Sequence, residues 1–200
     1  MKYKRIIILG FRCVGKNYVG RLLSKKLNLK LVNMDSKIEK IEKKTIAEIS
    51  EKGKDWVKFR DVELSLLKDL LKKENVVISA GGGVGVNDIK HKDSGKTFGK
   101  IETELLKNDK DTLKILITAD EKNIEKRLIE SEKKSQGLRP ILDSKLAKSK
   151  KEHSLEIIAN HNLKMFRSRK KNYENLADLV IENNSNKLDI NKVLEAIQNV

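Results

Sequence analysis

Gly10-Phe11-Arg12-Cys13-Val14-Gly15-Lys16-Asn17 decides how this chain reads. It follows G-x-x-x-x-G-K, with asparagine where that pattern ends in Ser or Thr. The β-branched run Ile6-Ile7-Ile8-Leu9 leads into it, and Val19, Leu22, Leu23 and Leu27 follow at helical spacing. The order is strand, glycine-rich loop, helix. Such a loop wraps a polyphosphate because glycines let consecutive backbone N–H groups turn inward. The helix N-terminus adds positive potential, and the lysine reaches the β and γ phosphates. A plain strand-to-helix turn is the alternative; the spacing, the lysine and the flanking elements together favour the phosphate loop.

Outward from the loop, short apolar runs alternate with longer helical patterns. Leu29 to Val32 reads as a second strand that ends at Asn33-Met34-Asp35, where polar groups leaving a strand beside a phosphate loop meet a ligand. Thr45 and Glu48 have capping-box spacing, so a short helix starts there and stops near Gly53. A longer helix follows from about Asp55, with Phe59, Val62, Leu66 and Leu70 on one face; Arg60 and Glu63, three apart, also share a face. Val76 to Ser79 is a third strand, closed by Gly81-Gly82-Gly83. Three glycines there fit either a close backbone approach or a bland flexible turn. From Gly85 to Asp111 the chain is polar, with one helix near Ile101 to Leu106. Leu113 to Thr118 is a fourth strand, and a helix runs from Asp120 through Arg127 to Ser131. The polar stretch from Glu132 leads to Leu138-Arg139-Pro140-Ile141-Leu142, an ordered turn that presents an arginine either as an active-site lid or as a plain surface loop. One long helix is expected from Leu146 to Lys171, then a last strand, Leu179 to Ile181, and an amphipathic helix carrying Ile190, Val193, Leu194 and Ile197. Repeats and low-complexity linkers are absent, so one domain over residues 1–200 suffices.

The net charge of +15, from 44 Lys and Arg against 29 Asp and Glu, favours anionic partners. The lysines are interleaved with glutamates on every predicted helix, and aromatics are only 4% of the chain, which argues against a base-stacking nucleic-acid surface. A single cysteine excludes an internal disulfide framework and points to a reducing, cytoplasmic setting. No segment approaches the roughly 20 apolar residues that span a bilayer, so no membrane partner is expected. His91, His153 and His161 lack metal-ligand spacing.

Taken in order, the motifs resemble the shikimate kinase family. They are the phosphate loop GFRCVGKN, Asn33-Met34-Asp35, Phe59-Arg60-Asp61-Val62-Glu63, Gly81 to Gly83, Arg139-Pro140-Ile141-Leu142 and Arg169-Lys170-Lys171-Asn172-Tyr173. The resemblance implies an α/β, three-layer P-loop kinase fold of the nucleoside-monophosphate-kinase type. Its parts would be a five-stranded parallel sheet, a substrate subregion over about residues 35–63 and a lid over about 132–145. It also implies a monomer that transfers the ATP γ-phosphoryl group to the 3-hydroxyl of shikimate, with Mg²⁺. Carried onto this sequence, the loop residues Gly10, Cys13, Val14, Gly15, Lys16, Asn17 and Tyr18 would hold the nucleotide. Arg139 would close over the phosphates and Arg127 would lie against the adenine. Lys16, Asp35 and Arg139 would act in catalysis, with Asp35 binding the ring hydroxyls and helping to deprotonate the attacking one. Arg60 and Arg169 would grip the carboxylate, and Gly81, Gly82 and Gly83 would lie against the ring.

Two positions depart from the family pattern. Asn17 stands where a Ser or Thr hydroxyl usually binds Mg²⁺, and Asn33 where an Asp usually orients the metal through water. An amide oxygen can still ligate Mg²⁺, but Asn33 deletes a negative charge from the site. Ser79 is placed for an indirect contact. Three other readings therefore stay open: a nucleotide-binding relative with impaired catalysis, a kinase for another hydroxylated acid such as gluconate, and a nucleic-acid-binding module.

Overall fold

The computed structural model describes residues 2–135, 139–149, 153–184 and 188–200. Its centre is a five-stranded sheet in the order β2-β3-β1-β4-β5. The strands are β1 (Arg5–Leu9), β2 (Lys30–Asn33), β3 (Val76–Ser79), β4 (Thr112–Thr118) and β5 (Leu179–Glu182). Every pairing is parallel, with Ile8 opposite Ser79 on one side of β1 and Ile115 on the other. Parallel strands covered on both faces carry unbroken apolar runs, and β1, β3 and β4 are buried along their whole lengths. The edge strands β2 and β5 are only partly covered. Nine helices among the described residues pack around the sheet: α1 (Lys16–Leu27), α2 (Met34–Glu42), α3 (Ile46–Ile49), α4 (Val57–Leu70), α5 (Phe98–Asn108), α6 (Glu121–Ser135), α7 (Ser144–Lys148), α8 (Leu155–Glu174) and α9 (Ile190–Gln198). None of them is long and apolar enough to cross a membrane.

The capping box that the spacing of Thr45 and Glu48 predicts is formed, with Glu48 N–H donating to Thr45 Oγ1 at 3.2 Å and Thr45 N–H to Glu48 Oε2 at 2.7 Å. One helix was not foreseen and one expectation needs correction. The polar end of β2 turns at once into α2, because the Asn33 side chain accepts from Ser36 N–H and caps a new helix. The long helix expected over 146–171 is two helices. Asp143 caps α7 through Lys145 and Leu146 N–H, Ser149 is extended, and Ser154 caps α8 through Ile157 N–H. Ahead of α7, Ile141 N–H donates to Lys52 O at 3.4 Å, on the turn Glu51–Gly53, which brings the lid residues against the substrate subregion. Residues 136–138 of the expected lid lie outside the described residues.

Candidate active site

The loop between β1 and α1 has the curvature of an anion cradle. Gly15 begins α1 with φ 100°, and a side chain there would collide with the Asn183 amide, which itself donates to Val14 O at 2.8 Å. Cys13 holds a left-handed φ of 66°, a conformation that costs a non-glycine residue about 1–2 kcal/mol. The first turn of α1 has no side-chain cap; Tyr18 N–H turns back to Gly15 O at 3.0 Å, while the N–H groups of Lys16 and Asn17 have no backbone partner among the described residues and can receive an anion. Lys16 Nζ folds back over the loop and donates to Gly10 O at 2.8 Å and Phe11 O at 2.9 Å. Burial pushes its pKa down to about 8, with Asp35 pulling the other way.

The two positions expected near a metal are otherwise engaged. Ser79 Oγ donates to Asn17 Oδ1 at 2.6 Å, and Asn33 Oδ1 is the cap of α2. Among the described residues no group of three His, Cys, Asp or Glu side chains is arranged to hold an ion. With both amide oxygens committed inside the protein, this donor set does not fit Mg²⁺ as it stands.

A cavity of about 530 Å³ opens from the loop toward α3 and α4. The loop residues Gly15, Lys16, Asn17 and Tyr18 line it together with Arg139, Asp35, Gly82, Gly83, Trp56, Phe59 and Arg60. Gly10, Val14, Asn33, Gly81 and Arg169 do not line it. Gly81 lies just behind, since a Cβ there would come within 3.1 Å of Asp35 Oδ1. The Arg60 guanidinium is 5% exposed and lies 5.4 Å from the Trp56 ring centre and 5.0 Å from that of Phe59. Its Nη1 donates to Glu63 Oε2, while its Nε has no hydrogen-bond partner. Burial opposes the Arg60 charge, but Glu63 and Glu102 outweigh it and hold the guanidinium ionised. Arg169 reaches Gly82 O with Nη1 at 3.5 Å, and Tyr173 donates its hydroxyl to the same oxygen at 2.7 Å.

Glu102 was not visible as a site residue in the sequence. It is fully buried behind the glycine turn, where its Oε2 accepts from Gly85 N–H at 2.8 Å and Asn87 Nδ2 at 3.1 Å. Burial, reinforced by Glu63, raises its carboxyl well above the usual range. Burial likewise raises Glu63 against the pull of Arg60. Burial lowers the Arg169 guanidinium in turn, while the burial-raised acids bring less negative charge against the two arginines at this end of the cleft.

On the other side of the loop, a second cavity of about 550 Å³ is lined by Arg127, Ser131 and Lys134, and it shares Cys13 and Arg139 with the first. Arg139 Nη1 lies 3.8 Å from Cys13 Sγ, at the junction. Arg12, which sequence reasoning passed over, pairs with the buried Glu132 at 3.4 Å and ties the loop to α6. The signal for it was present in the loop itself, a basic residue between the two glycines.

A family model for shikimate kinase matches residues 12–198. The chain belongs to the shikimate kinase family. A shikimate kinase from Aquifex aeolicus is 49% identical over 84 residues, covering 42% of this chain and 49% of that protein. One from Persephonella marina is 36% identical over 138 residues, 66% of this chain and 82% of the other. The chain thus spans about half the length of several curated relatives in such alignments. Among solved structures, the Aquifex aeolicus family member superposes with TM-score 0.63 at 26% identity, over 98% of this chain and 96% of that one. A shikimate kinase from Acinetobacter baumannii in complex with shikimate superposes with TM-score 0.74 at 22% identity, covering 98% and 94%, and supports the P-loop kinase fold. The five-stranded parallel sheet with its covering helices matches the fold of that family.

Proposed function

We propose that the chain transfers the γ-phosphoryl group of ATP to the 3-hydroxyl of shikimate, a step of the aromatic amino-acid (chorismate) pathway, as a cytoplasmic monomer. The observation that carries this reading is one cleft with a phosphate loop at one end and a buried, anion-ready arginine at the other. Lys16 and the first-turn amides of α1 hold the β and γ phosphates, and Arg139 closes over them from the lid. In phosphoryl transfer the protein's main contribution is in-line placement and neutralisation of charge on the equatorial oxygens. Asp35, between the two ends, accepts from the ring hydroxyls and takes the proton of the attacking one. That oxygen bonds to the γ-phosphorus as the bond to ADP breaks. Arg60 grips the carboxylate through its planar fork, with Arg169 reinforcing the same potential from behind Gly82. Arg127 lies against the adenine in the second cavity.

The test is ADP release followed with ATP and either shikimate or gluconate. Shikimate-dependent release supports the reading, and release with gluconate alone replaces the acceptor. The engaged oxygens of Asn17 and Asn33 favour a second reading, a nucleotide-binding relative with little turnover. ATP binding with no ADP release for any acid would establish that one instead.

A further inference from the structure

Resting on the nucleotide reading of the loop, we infer that Asn17 serves this site as a hydrogen-bond donor to the phosphates and not as a metal ligand, so that the chain holds ATP with little help from Mg²⁺. The orientation of the amide decides this. The 2.6 Å separation between Ser79 Oγ and Asn17 Oδ1 is the length of an O–H···O bond and short for an N–H···O one, so the oxygen faces Ser79. Ser79 is buried and set by the parallel register of β3, opposite Ile8 on one side and Asn33 on the other, so it does not follow the side chain about. Among the described residues the amide's hydrogen bond is made through Oδ1, which leaves Nδ2 to the cleft that Asn17 lines. A donor therefore stands where a P-loop hydroxyl ordinarily holds the metal.

The neighbourhood is built to the same end. Asn33, the other expected metal-orienting position, uses its oxygen to cap α2 and brings no charge. Lys16 and Arg139 line the cleft beside it, as does Arg12, which is already paired with Glu132. Between them they supply positive charge to a polyphosphate that a divalent ion would otherwise share. Ser79 is thus a positioning residue: its hydroxyl selects which end of the Asn17 amide meets the nucleotide.

The experiment is titration of the whole chain with ATP, without acceptor, in excess EDTA and in excess MgCl2, for the parent, Asn17→Ser and Ser79→Ala. In the parent the two dissociation constants should agree within about threefold. Asn17→Ser restores a hydroxyl ligand, and Mg²⁺ should then tighten ATP about tenfold or more, the scale that even an outer contact to a metal carries. Ser79→Ala frees the amide to turn its oxygen outward and should create part of the same metal effect while leaving residue 17 intact. Tightening by Mg²⁺ in the parent as large as in Asn17→Ser overturns the inference while leaving the nucleotide site standing. A Ser79→Ala chain that responds to Mg²⁺ no more than the parent overturns the positioning role. No ATP binding under either condition overturns the nucleotide reading and the inference with it.

Discussion

Gly83→Ala tests whether the acid-binding end of the cleft depends on the seat of Arg60. Gly83 is not in the left-handed region, so the backbone accepts alanine and any cost comes from the methyl group alone. That methyl carbon would lie 2.6 Å from both Cζ and Nη1 of Arg60, and closer still to Nη2. Ordinary carbon contact begins at about 3.5 Å, so the guanidinium must withdraw by roughly 1 Å. It has little room to do so. Trp56 and Phe59 lie against it, and its partner Glu63 is fully buried. Removing one partner of a buried pair costs about 3–5 kcal/mol, and a displaced pair loses part of that, about 2 kcal/mol. If the loss falls on carboxylate recognition, kcat/KM for shikimate drops about 30-fold while KM for ATP stays within about twofold. Steady-state kinetics with each substrate varied in turn reads the two effects separately, and a thermal melt shows whether the fold is retained. A folded Gly83→Ala protein with kcat/KM for shikimate within about threefold of the parent would refute the assignment of Arg60 as the carboxylate grip.

Two pH effects follow from the buried groups. Lys16 titrates at about 8 in the free protein, chiefly through burial, and bound phosphates stabilise its charged form. Nucleotide binding above that pH therefore takes up a proton, and affinity falls by up to about tenfold per pH unit; calorimetry at about pH 9 in buffers of different ionisation heat measures the uptake, and none would show that Lys16 is already charged before the nucleotide binds. Glu102 is the second. Its folded pKa is raised above the ordinary 4.5, so the native state keeps a proton that the unfolded chain releases. The associated stability is complete below about pH 4.5 and is lost as pH rises toward the folded value. Glu102→Gln keeps an acceptor for Gly85 and Asn87 and removes that slope, leaving the part due to Glu63. Melting temperatures measured between acid and neutral pH should fall less in the variant, and parallel curves would show that Glu102 is ionised in the folded chain.

What the sequence determined by itself was whatever its information lies close together. The phosphate loop was legible because strand, glycines, lysine and helix occupy neighbouring positions, and the strand runs were legible because parallel strands buried on both faces stay apolar throughout. Arg60 and Glu63 were placed on one helical face by their spacing of three, and their side chains do meet. The start of α2 was missed because Asn33 reads equally as the end of a strand or the cap of a helix. The break between α7 and α8 was missed because capping by Asp143 and Ser154 competes with a helical pattern that runs across both. Only the tertiary structure could bring Ser79 against Asn17, 62 positions apart, or set Glu102 behind Gly85. Those meetings come from strand register and from the burial of one helix against a turn, and no local spacing encodes either. They decide what the loop and the arginines are surrounded by: which end of an amide faces the nucleotide, and how much charge the acid-binding end of the cleft retains.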